Sequence, residues 1–253
     1  VKKIAICNQK GGVGKTATAV NLTAGLALAE KNSLLIDIDP QANSSSGLGI
    51  DYKTVEISVY DCLLDPSLTG HAVIKTKWPY LSVLPSTPDL VGAEIELVEK
   101  PARERKLKQA LENIEPRYAF GIIDCPPSLG ILTLNGLVAA DGVIIPIQCE
   151  YYALEGLEKL LKTVKAIKES LNPNLVIEGI LLTMYDARLN LAQDVVEDIK
   201  KHFSNVVFDT VIPRSVRIAE SPSYGKSVIH YNISSSGAQA YLNLTRELLN
   251  HGR

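Results

Sequence analysis

The stretch Cys7–Thr18 reads CNQKGGVGKTAT. It follows an apolar run, KIAIC (3–7), and leads into KTATAVNLTAGLALAEK (15–31), whose apolar residues recur at helical spacing. A strand, a glycine-rich turn and a helix in that order make a phosphate cradle. Backbone N–H groups line the turn, and the helix N-terminus adds positive potential. Gly11, Gly12 and Gly14 let the backbone of the loop, with Val13 and Ala17, approach phosphate oxygens. Lys15 is placed to reach β- and γ-phosphates, and the Thr16 hydroxyl to ligate Mg2+. The common pattern G-x4-G-K-[ST] fails at its first position, where Gln9 stands. A second lysine, Lys10, opens the glycine run instead. A glycine-rich turn without function is the plain alternative, and the strand–loop–helix context weighs against it.

Beyond this loop the chain alternates between the two periodicities. Strands are predicted over 33–39, 118–126, 141–147, 175–185 and 205–212, and helices over 104–114, 130–139, 154–171, 189–202 and 236–250. Near-continuous apolar strands between amphipathic helices imply an α/β fold: a single doubly wound, mostly parallel sheet with helices on both faces, one domain over 1–253. The region 50–103 is the least regular, with Pro66, Pro79, Pro85, Pro88 and Pro101. It reads as an insertion packed on one side of the domain.

The net charge of −2 excludes a uniformly basic nucleic-acid binder, so any such contact requires a local patch. Cys7, Cys62, Cys125 and Cys149 form no CxxC pair and read as buried small apolar residues. His71, His202, His230 and His251 show no ligand spacing. The chain shows no signal peptide and no apolar run long enough to span a bilayer, so a cytoplasmic protein without membrane contact is expected.

A phosphate site also needs acids for metal and water, and two strand ends supply them. Asp124 follows FGII and precedes CPPS, as a metal-shell carboxylate does. Asp37 and Asp39 end LLIDID, and Asp39 opens the polar loop PQANSSSGLG, suited to sensing a γ-phosphate. Strand-end aspartates also serve as caps and turn formers.

Three motifs in order, KGGVGKT, DIDPQANSSSGLG and DCPPSLGILTLN, resemble those of the deviant Walker-A P-loop ATPases, and most of all the ParA/Soj partition family. The likeness runs on through EYYALEGL (150–157), MYDARLNL (184–191) and VIPRSVRIAESPSYGKSV (211–228), and covers nearly the whole chain. The resemblance implies a slow, partner-stimulated ATPase that uses ATP and Mg2+. It implies an ATP-dependent homodimer with two nucleotides at the interface, where Lys10 reaches the phosphates of the other subunit. By the same match Asp39 positions the attacking water and, with Thr16 and Asp124, belongs to the metal site. Gly11 lets the two loops pack, and Met184, Asp186 and Pro213 flank the adenine. The family's partners are non-specific double-stranded DNA and a ParB-type centromere-binding protein, and its place is the nucleoid.

Two departures stand out: Ala17 replaces a second threonine, and Ala42 stands where glycine is common, which predicts a stiffer loop. The sequence opens directly on the first strand, and the short chromosomal-type architecture without a helix-turn-helix extension is expected. Arg188, Arg214, Arg217 and Lys226 are the candidate DNA contacts. The lysines at 159, 162, 165 and 168 read as the wet face of a helix. Three rivals remain open: a MinD-type cell-division ATPase, an iron-protein-like redox dimer using Cys125, and a small-molecule kinase or synthetase. The first requires a basic amphipathic tail, and the carboxy-terminal stretch holds only Arg246 and Arg253 as strong bases.

Overall fold

The computed structural model describes residues 1–150, 153–203 and 205–251. Tyr151 and Tyr152 of the EYYALEGL motif, and Arg253 of the tail, lie outside them. The described strands are β1 (Lys2–Ile6), β2 (Ser33–Asp37), β3 (Ile74–Lys75), β4 (Leu81–Leu84), β5 (Phe120–Asp124), β6 (Gly142–Gln148), β7 (Val176–Tyr185) and β8 (Val207–Pro213). They form one sheet in the order β3-β4-β2-β5-β1-β6-β7-β8. Every pairing is parallel except the β3–β4 edge.

The period-2 pleat divides each strand between two cores. In β1, Ile4 and Ile6 face one side, and Ala5 faces the other along with Cys7 just beyond the strand. Leu34 and Ile36 of β2 join the Ala5 side, while Leu35 crosses to the Ile4 side. The Ile4 side is covered by the helices Lys15–Leu28 and Ser236–His251. These two helices pack closely at Gly25, where a methyl group would collide with Thr245. The Ala5 side is covered by Lys106–Glu112, Ile131–Ala139, Ala153–Ser170 and Asn190–Phe203. Fully buried strands with helices on both faces therefore read as apolar throughout, which is the signal the sequence carries.

The region 50–103 is more than a packed insertion. It adds β4 to the sheet beside β2, with β3 antiparallel at the edge. Runs of two and four residues among prolines are too short to show a periodicity, so only the pairing partner defines them. The first helix stops at Leu28, short of residue 31, because Glu30 takes a left-handed conformation at φ 57°.

Candidate functional site

Strand β5 pairs with both β1 and β2, so Asp124 has Ile6 and Asp37 as its register neighbours. The loops that follow these three strands thus open at one edge of the sheet. Beside β1 the strand order also reverses toward β6, the crevice where open α/β sheets place ligands.

The glycine loop is held from below. Asn8 donates through its amide to the Pro146 carbonyl (2.8 Å) and accepts from the Lys10 N–H (3.0 Å). Thr183 Oγ1 donates to the Val13 carbonyl (2.9 Å). Gly12 and Gly14 have φ of 75° and 87°, conformations that β-carbons disfavour. A β-carbon at Gly11 or Gly12 would meet nothing within 4 Å, so the cradle is open above. The first helical bond runs from the Thr18 N–H to the Gly14 carbonyl, and the amides just ahead of it have no partner within the helix.

Lys15 is buried and its ammonium donates to the Lys10 carbonyl (3.0 Å). Burial pulls its pKa down, opposed first by the charge of Asp124 and more weakly by Cys7, Cys125 and Asp39. Asp124 is wholly buried, and neither carboxylate oxygen receives a hydrogen bond of good geometry. Burial and the neighbouring Asp37 push its pKa well above the carboxylate range, and the facing hydroxyls of Thr16 and Ser44 offset this only in part. The Ser44 hydroxyl is orphaned as well. Two buried polar groups without partners, beside an open cradle, mark a place for a ligand.

Asp37 anchors the polar loop. Its carboxylate accepts from the Ser45 N–H (2.9 Å) and hydroxyl (2.7 Å), and from the Asp39 N–H (3.2 Å). Asp39 accepts from the Gln41 N–H (2.9 Å). Ala42 adopts the left-handed region (φ 52°) and is buried, which is why glycine suits this position.

A cavity of about 500 Å³ opens beside the cradle, lined by Gly14, Thr16, Ala17, Asn43, Met184, Pro213, Arg214, Ser215 and Ile218, among others. Met184 is left-handed (φ 52°), an uncommon conformation for a side chain of its size, and sits at the cavity wall. Tyr185 is in register with Pro213, which joins the two halves of that wall. Asp186 is not among the lining residues. It accepts a fork from Arg188 at 2.8 and 2.6 Å, which holds its pKa at about 2. Arg217 is committed to Glu220 at 2.8 Å. Lys10 points away from the cradle into an exposed ion pair with Glu150 at 2.7 Å.

The fold therefore gathers Lys15, Thr16, Asp39 and Asp124 at one point, and Met184 and Pro213 at the adjoining cavity. Lys10, Asp186, Arg188 and Arg217 face other partners. Sequence reading passed over Asn43, Ser44, Thr183, Ser215 and Ile218. The signals present were a threonine inside the apolar run GILLTMY and the consecutive hydroxyls of NSSSG. All four cysteines are buried and unpaired.

Residues 1–177 match a family model described as an AAA domain. The chain is 53% identical over 246 residues to the chromosome partitioning protein ParA of Myxococcus xanthus, covering 97% of this chain and 87% of that protein. It is 55% identical over 251 residues to the sporulation initiation inhibitor protein Soj of Bacillus subtilis, covering 99% of each. Among solved structures, a Mycobacterium smegmatis protein described as cobyrinic acid a,c-diamide synthase, with bound ADP and magnesium, superposes with a TM-score of 0.88 at 36% identity. That match covers 100% of this chain and 97% of the other. The Pyrococcus furiosus cell division ATPase MinD gives a TM-score of 0.81 at 25% identity, covering 99% of each chain. With relatives this close along its whole length, the chain belongs to the ParA/Soj family of chromosome-partitioning proteins.

Proposed function

We propose that the protein is a Mg2+-dependent ATPase of DNA partition, in which ATP binding drives a two-fold sandwich dimer and hydrolysis, stimulated by a ParB-type partner, dissolves it. The observation that carries this reading is the buried, unpartnered Asp124 carboxylate beside Thr16, Lys15 and an open glycine cradle.

The residues fit the group. Among the described residues no three of His, Cys, Asp and Glu cluster as a metal cage. A Mg2+ ion here would be held by the Thr16 hydroxyl, phosphate oxygens and water, with Asp124 and Asp39 beside it. When bound, Mg2+ neutralises charge on the β- and γ-phosphates and orients them. Lys15, released from the Lys10 carbonyl, supplies the remaining countercharge. The cradle amides of Gly11 to Ala17 fix the phosphate chain, and Met184 and Pro213 present an apolar wall to the base. Asp39, at the start of the polar loop, orients the attacking water. Lys10 leaves Glu150 and reaches the partner's phosphates in the manner of an arginine finger. The dimer then carries non-specific DNA through Arg214, Lys226, Arg188 and Arg217, and works on the nucleoid in the cytoplasm.

Binding to a random-sequence duplex, measured with ATP, ADP and no nucleotide at two salt concentrations, tests the reading. Retention only with ATP, weakened by salt, is expected. Equal retention in all three states, or none, would overturn it.

A further inference from the structure

Acids outnumber bases in this chain, 28 to 26, yet Pro66–Pro88 and Ser221–Arg246, like the amino-terminal Val1–Ala29, contain no acid. The fold brings the first two into contact. Trp78 stacks on His230 with ring centroids 4.5 Å apart and planes 18° from parallel. The Lys77 ammonium lies 4.8 Å from the Trp78 ring centroid. Lys226 directly precedes Ser227, whose hydroxyl caps the short helix Val228–Tyr231 by accepting from the His230 N–H. Lys77 is exposed and Lys226 half-buried. Neither forms an ion pair with an acid among the described residues.

This sets the locus apart from the arginines. Arg188 and Arg217 spend their charge on Asp186 and Glu220, and a phosphate would have to displace those carboxylates. The cation–π contact orients the Lys77 amine without neutralising it. His230 has its pKa pulled down to about 4, by burial first and then by the charges of Lys77 and Lys226. Two cations therefore converge on a neutral ring, with no acid contributing among the described residues. The same loop touches the nucleotide cavity: Ser221 and Pro222 line it, and Gly225 packs against Gly49 at the end of the polar loop.

We propose that Lys77, together with Lys226 across the Trp78–His230 stack, contacts the phosphate backbone of DNA, on a face built where these two acid-free stretches meet. The inference rests on the partition reading and adds to it a contact from the opposite half of the chain. Backbone contacts draw on positive charge and need no base recognition, and this face supplies positive charge that no acid among the described residues neutralises.

The test uses the full chain with Mg2+ and ATP and a labelled random-sequence duplex, titrated between about 50 and 200 mM salt. Each phosphate contact adds about 0.9 to the slope of log affinity against log salt. With one Lys77 per protomer, Lys77→Gln is expected to flatten the slope by roughly one to two and to weaken low-salt binding on the order of tenfold. Lys165→Gln, on the wet face of the Ala153–Ser170 helix, removes the same charge and is expected to leave the slope as it was. Melting temperature and ATP-dependent mass report that both variants fold and dimerise. A Lys77→Gln slope equal to that of the wild type, or an equal change in Lys165→Gln, overturns the assignment while the partition reading stands. A wild type that ignores DNA in every nucleotide state overturns both.

Discussion

Lys10→Ala and Glu150→Gln should move one equilibrium in opposite directions. The Lys10 and Glu150 side chains are 49% and 47% exposed, with their charged atoms 2.7 Å apart. An ion pair this exposed contributes about 0.2–1 kcal/mol. Drawing Lys10 away from Glu150 is therefore inexpensive, and the proposed dimer would break two such pairs. Glu150→Gln removes that cost in advance, about 0.4–2 kcal/mol per dimer, and should tighten the ATP-bound dimer by roughly two- to thirtyfold. The gain should shrink at high salt, where the pair is already screened. Lys10→Ala leaves Gly11 to Thr16 intact, and Lys15 still finds the residue 10 carbonyl, so the monomer should bind ATP normally. Its dimer would bury facing phosphates with less countercharge, at about 3–5 kcal/mol per site, and should weaken by at least about a hundredfold. Sedimentation equilibrium across a range of protein concentrations in ATP, at two salt levels, reads both effects. If Lys10→Ala dimerises like the wild type, the lysine is an ordinary surface residue and the trans mechanism is refuted.

Lys15→Ala should abolish ATP binding in a nucleotide titration, because the loop loses its main countercharge for the β- and γ-phosphates; retained affinity would remove Lys15 from the phosphates. Asp39→Ala should bind ATP, turn it over poorly and accumulate as a dimer on a sizing column; unchanged turnover would free Asp39 of its role. Gly225→Ala should lower stability by about 1–3 kcal/mol in urea unfolding, since φ is 60° and a β-carbon would come within 2.7 Å of Gly49 Cα. His230, near 6.5 when unfolded and about 4 when folded, contributes stability that is complete above about pH 6.5 and lost as pH falls toward 4. His230→Gln should flatten that part of a stability–pH profile, and an unaltered profile would show that the ring does not titrate there.

What the amino-acid sequence determined by itself is whatever depends on near neighbours along the chain. KGGVGKT between an apolar run and a helical run specifies a phosphate cradle, because the turn geometry and the free helix amides come from consecutive residues. The buried strands announce themselves as continuous apolar runs because helices cover both faces of the sheet. Tertiary structure alone decided what lies far apart in sequence. It set β5 between β1 and β2, so that Asp124 and Asp37 became neighbours and their shared burial left a carboxylate without a partner. It made strands of Ile74–Lys75 and Leu81–Leu84, which are too short to be stable or recognisable without β2 beside them. It also assigned the charges. Lys10 met Glu150, Arg217 met Glu220, and Lys77 and Lys226 met no acid among the described residues, and a one-dimensional pattern of charge does not encode these pairings. The Coulomb interaction acts over distance in space, and only the fold converts separation along the chain into that distance.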